Sequence, residues 1–152
     1  MQRRVRLWTI WLQIALVISV LIAVAFWVFV ARQSPSGKDD LKVDVSQLRS
    51  AAAEGQFFTE QILNQSVTRP FVRSHALTMS EELQTTLQSL SAMKVTQDLQ
   101  ETKTTAIALG TNLNTTVQSI PVSLDDQVQI QKSSDQFRNL FSQLAALETS
   151  LK

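Results

Sequence analysis

The stretch Ser91-Ala92-Met93-Lys94-Val95-Thr96-Gln97-Asp98-Leu99 decides the fold. Before it, apolar residues recur at helical spacing: Val72, Ala76, Met79, Leu83, Leu87, Leu90 and Met93. After it, Leu99, Thr102, Ala106, Leu109, Leu113, Thr116 and Ile120 alternate steps of three and four, as a heptad seam does. No Gly or Pro separates the two runs, yet they are out of phase. Extending the first would place Lys94, Gln97 and Glu101 on a core face. Thr96 or Asp98 can serve as an N-cap. The chain is therefore expected to break and reverse here instead of continuing as one rod of roughly 50 residues.

Working outward, Leu41, Val45, Leu48, Ala52, Phe58 and Ile62 form an earlier stripe that runs out near Val67, before Thr68-Arg69-Pro70. Asp39 and Asp40 stand where a cap and first-turn acids belong. A last stripe opens with Ser123-Leu124-Asp125-Asp126 and continues through Val128, Ser134, Phe137, Phe141, Leu144, Leu147 and Leu151. Four segments of similar length, about 39–67, 70–94, 97–120 and 124–151, predict an all-α, antiparallel up-down-up-down four-helix bundle. One competing pattern stays open. The 97–120 segment holds Gly110 and many Thr, and Ile107, Leu109, Leu113 and Val117 also satisfy a period of two, which fits a strand.

Ahead of the bundle, the residues from Leu7 to Ala31 include only Thr9, Gln13 and Ser19 as polar side chains. That is enough apolar helix to cross a hydrocarbon core of about 30 Å. Trp8 and Trp11 lie near one end and Trp27 near the other, about 28 Å apart in a helix, which matches interfacial aromatic belts. Arg3, Arg4 and Arg6 precede the run. The positive-inside rule then places 1–6 in the cytoplasm as a basic tail, 7–31 as a single-pass signal-anchor, 32–38 as a linker through Ser34-Pro35-Ser36-Gly37-Lys38, and 39–152 outside an inner membrane. A cleaved signal peptide ending at Ala23-Val24-Ala25 is the alternative, and Arg3-Arg4 also fits a twin-arginine signal. Ala15, Ser19 and Ala23 recur every four residues, a face on which two such helices could dimerise, with Gln13 as an added polar contact.

The 152 residues carry a formal charge of +1. This near-neutral sum joins a basic flank of four Arg in 1–32 to a region, 33–152, with all 13 acids and ten Lys/Arg. No basic patch or aromatic platform for nucleic acid results, since the five aromatics of that region are all Phe at stripe-like positions. With no Cys and a single His, His75, the usual metal, haem and triad chemistries lack their ligands or bases. Asp39/Asp40, Glu81/Glu82 and Asp125/Asp126 are adjacent pairs that diverge on a helix, and Gly37, Gly55 and Gly110 form no phosphate loop. No catalytic residue, metal ligand or cofactor is expected. Gly55 and Gly110 are read as points of close helix approach. Asn64-Gln65-Ser66 and Asn114-Thr115-Thr116 match the glycosylation sequon by composition.

The most suggestive polar group is Arg69 and Arg73, four apart on one helical face, with His75 nearby on another azimuth. Such a pair can hold a carboxylate or phosphate by charge-assisted hydrogen bonds. Taken with the basic tail, the anchor and the four stripes, it resembles the front half of bacterial chemoreceptors and sensor kinases with periplasmic four-helix bundles. The resemblance is one of architecture and implies a ligand-sensing role for Arg69 and Arg73. The residues themselves imply a non-enzymatic tether or assembly module, with the lipid bilayer, a membrane or periplasmic protein, and a second copy as partners.

Overall fold

The computed structural model describes residues 37–151. They form four α-helices, α1 (Lys38–Leu63), α2 (Arg69–Ala92), α3 (Gln100–Ser119) and α4 (Gln127–Ser150), with short 3-10 turns at Gln97–Leu99 and Ile120–Val122. There is no strand among the described residues, and the Thr-rich third segment is helical. Its hydroxyls do not compete with the ladder but double up on it. Thr104, Thr111, Thr115 and Thr116 each donate to the carbonyl four residues back, at 2.8–3.0 Å.

Cross-helix contacts fix the directions. Glu54 meets His75 and Asp44 meets Ser89, so α1 and α2 are antiparallel. Ser80 bonds Asn114 while Lys103 reaches Ser91, so α2 and α3 are antiparallel. Arg49 pairs with Glu148, and Gly55 lies against Phe137, so α4 runs against α1. The α1–α4 packing is the most extensive, followed by α2–α3, while the α1–α2 and α3–α4 seams are thinner. Across the diagonal, Gly110 of α3 admits the Leu48 side chain of α1, bringing those two helices close.

The reversal between α2 and α3 is real, and its means are visible. Met93 and Thr96 take extended backbone angles, and the Lys103 ammonium donates to Ser91 O at 3.2 Å and Met93 O at 2.6 Å. A cation from the next helix thus satisfies carbonyls that a C-terminus leaves without partners.

The third segment opens at 97 as a 3-10 turn and becomes α-helical at Gln100, and two further boundaries differ by three or more residues from the expected ones. The first helix stops at Leu63 instead of about 67, because Gln65 adopts a left-handed φ of 54° and closes a Schellman turn. Ser66 N–H donates to Gln61 O and Gln65 N–H to Ile62 O, each at 3.0 Å. The stop was hidden because the position is Gln and not Gly. Gln65→Gly is expected to stabilise the bundle by about 1 kcal/mol, since the left-handed region costs an L-residue about that much. Thermal melting checks it, and an unchanged or lower midpoint would count against the turn. The fourth helix begins at Gln127 instead of about 124: the Asp126 carboxylate accepts from Val128 N–H at 3.0 Å and Gln129 N–H at 3.1 Å, and is the true N-cap.

The core contains Leu41, Val45, Leu48, Ala52 and Phe58 from α1, and Val72, Ala76, Met79, Leu83 and Leu90 from α2, as the stripes foretold. In the last segment Ser134, Phe137, Leu144 and Leu151 are buried as their stripe requires, and Val128 and Phe141 are its exceptions. Ile130 and Leu140 also face inward, whereas Val128 is 74% exposed and Phe141 lies on the outer edge. Later capping at Asp126 leaves Val128 in the first turn at the bundle end, and Phe141 carries Arg49 over its ring at 6.0 Å.

No described helix is long and apolar enough to cross a membrane. The expected tail Arg3, Arg4 and Arg6, the span with Trp8, Trp11 and Trp27, and the face Ala15, Ser19 and Ala23 all lie outside the described residues.

Candidate functional site

The residues singled out by sequence converge less than their spacing suggested. Arg69 opens α2 and forms a bidentate ion pair with Asp125 in the α3–α4 connection, one hydrogen bond measuring 3.4 Å. Both groups are well exposed, so the clamp is worth little in stability and serves mainly to hold two loops in register. Arg73, one turn on, is exposed and makes no hydrogen bond or ion pair among the described residues. His75 is elsewhere. Its ring stacks on Phe71 at 5.4 Å and 9°, meets Phe58 edge-on at 4.6 Å, and places Nε2 3.1 Å from Glu54 Oε1. The two arginines thus share one end of α2, and His75 belongs to an aromatic group in the α1–α2 seam.

Beside Arg69 is a recess of about 270 Å³ between the α1–α2 turn and the start of α4, lined by Ile62, Val67, Val72, Leu124 and Ile130. Its surface is more polar than apolar, and Gln65, Gln127 and Arg69 are its polar side chains. Among the described residues no three His, Asp or Glu side chains gather as a metal site would need.

Other polar groups are spent on joining helices. Ser80 Oγ donates to Asn114 Oδ1 at 2.8 Å and accepts from Gln118 Nε2 at 3.0 Å, tying α2 to α3. The Asn114 sequon therefore lies within a helix with its amide engaged, whereas Asn64 sits in an exposed turn. Arg49 Nη1 is 2.7 Å from Glu148 Oε2, a close charge contact in which no N–H points at the oxygen, so that Oε2 lacks an aligned donor.

The buried acid of the bundle is Asp44, 8% exposed, accepting from Ser89 Oγ at 2.9 Å. Burial raises its pKa above the ordinary 3.8, the Ser89 hydrogen bond offsets part of this, and nearby Asp40 adds to the rise. A raised folded-state pKa means the favourable, protonated contribution is complete below the unfolded value and is lost as pH rises through the folded one. At neutral pH the charged carboxylate is a cost. Asp44→Asn keeps an acceptor for Ser89 and is expected to raise the melting midpoint at pH 7. The gain should shrink to nothing as pH falls below about 4. A gain that persists unchanged in acid would contradict this role.

Sequence reasoning missed the α1–α2 groove. A cleft of about 480 Å³ runs between these helices, lined by Ser46, Gln47, Ser50, Glu54, Glu82 and Thr86 among others. Outside its lining, Phe57 of α1 is 62% exposed and Phe71 of α2 half exposed. The signal was present: Val43, Ser50 and Phe57 are seven residues apart and share a second face of α1, away from the core stripe.

No protein family, curated protein or solved structure matches this chain. A helical bundle hosts many unrelated functions, so the architecture by itself assigns no role to any residue.

Proposed function

We propose that this protein is a non-enzymatic interaction module: a four-helix bundle tethered at the outer face of an inner membrane by Leu7–Ala31, which joins or assembles another membrane or periplasmic protein. The observation that carries the reading is the placement of large apolar side chains. Phe57, Phe71 and Leu77 remain exposed on α1 and α2 although the core between the helices is closed. Polar groups that could do chemistry are engaged in holding helices together, as with Asp44–Ser89, Arg49–Glu148 and Ser80–Asn114. The Leu7–Ala31 run with its Trp and Arg flanks supports the address.

The test begins in the native membrane. The full chain is expected to stay with the membrane under alkaline carbonate and to be digested by protease added from the outer side. Release into the soluble fraction would remove the anchor from the proposal. Chemical crosslinking of the same membranes should then give an adduct heavier than the chain alone. Ser19→Leu, compared with the parent by mass in detergent, separates a homodimer through Ala15, Ser19 and Ala23 from a different partner, because only the former loses mass.

A second reading, a sensor-like bundle end for a carboxylate or phosphate, is favoured by Arg73, which lies exposed one turn from Arg69 with no acidic partner among the described residues. Citrate, acetate and inorganic phosphate should raise the melting midpoint of the full chain in detergent, and Arg73→Ala should abolish the rise. No shift with any of them leaves the tether.

A further inference from the structure

The cleft between α1 and α2 has the form of a seat for one more helix. On α1, Val43, Ser50 and Phe57 fall on one line over two heptads, about 21 Å long, with large apolar groups exposed at both ends and a small residue at the middle. On the facing side, α2 contributes Glu82, Thr85 and Thr86 to the cleft and Phe71 outside it. The threonine hydroxyls of the cleft are already engaged: Thr85 and Thr86 donate to Glu81 O and Glu82 O, at 3.0 and 3.2 Å. The cleft offers shape, serine hydroxyls and charge, and the exposed Val43 and Phe57 flank it on the α1 line through Ser50. The charge has one sign. Glu82 and Glu54, one of whose oxygens meets His75 Nε2 at 3.1 Å, line the cleft, Glu81 is exposed next to it, and no Lys or Arg is in its lining.

Resting on the interaction-module reading, we infer that the α1–α2 cleft docks a basic amphipathic helix of a different protein. Its apolar side would lie on Val43, Ser50 and Phe57, and its Lys or Arg side chains would meet Glu54 and Glu82. The charge argues against a second copy of the same cleft. A two-fold pairing would set Glu54 and Glu82 against their own counterparts, and like charges brought together across an interface are penalised. A helix laid in an apolar-ended groove is read by anchors at such spacing, with charge selecting the partner.

The test uses the full chain in its native membrane, with a photo-crosslinking phenylalanine analogue at Ser50, in the cleft, or at the exposed Thr111 or Gln136 on α3 and α4. The expected result is an adduct from position 50 whose attached peptide belongs to another protein and is a Lys/Arg-bearing amphipathic helix. Glu82→Lys and Phe57→Ser should each cut its yield at least about fivefold, with the melting midpoint of the bundle unchanged. Attachment to this same chain, to an acidic or non-helical segment, or a yield indifferent to Glu82→Lys would overturn the inference. Adducts from 111 or 136 without one from 50 would overturn the cleft and leave the interaction module standing. No adduct from any position would remove both.

Discussion

Replacing Phe137 by alanine is expected to destabilise the bundle by about 3–5 kcal/mol, a fall in melting midpoint on the order of 12–20 °C for a domain of this size. Phe137 is among the largest fully buried side chains, and its ring is pressed against the backbone of α1 at Gly55. Glycine has no side chain that can swing into the space left behind, so the cavity persists and the cost belongs in the upper part of that range. Denaturant unfolding of the parent and variant measures it. A loss under about 1 kcal/mol would mean that the ring is not the keystone of the α1–α4 packing.

The reciprocal change carries the second large effect. A Cβ built on Gly55 would come 2.5–2.8 Å from three atoms of the Phe137 ring, inside any permitted contact. Gly55→Val gains a few tenths of a kcal/mol of helix propensity but adds bulk that the buried ring cannot escape, so a net loss of about 3 kcal/mol is expected. Combining Gly55→Val with Phe137→Leu should recover part of it, because the two changes share one space and cannot be additive. Strict additivity of the pair would show that the clash lies elsewhere. Gly110→Ala is the contrasting case. Its new methyl meets the tips of Leu87 and Leu48 at 2.8–3.1 Å, and these can turn aside.

Periodicity carried most of the fold. All four stripes point inward at most of their positions, and the phase break at Lys94 and Gln97 marked the reversal without any Gly or Pro. What spacing could not convey was geometry set by single residues. A Gln in the left-handed region ended α1, and capping at Asp126, three residues past Ser123, left Val128 in an exposed first turn. Lys103, which no stripe or motif singled out, is the group that caps another helix. The polar candidates fared according to range. Arg69 and Arg73 share an end of α2 as their i, i+4 spacing required, but Asp125, 56 residues further along, already holds Arg69. Such a partner has no local signature. His75 likewise found Glu54 and two Phe rings through the pairing of α1 with α2, which no window along the chain contains.

The most extensive packing in the bundle joins its first helix to its last. During synthesis at about 5–20 residues per second, helix α1 leaves the ribosome several seconds before α4 does. For that interval Leu41, Val45, Leu48, Ala52 and Phe58 lack their main partner, while the α2–α3 hairpin can close from neighbouring sequence alone. The nascent chain therefore passes through a stage with its most apolar surface bare, which is a natural moment for a chaperone to take hold of it.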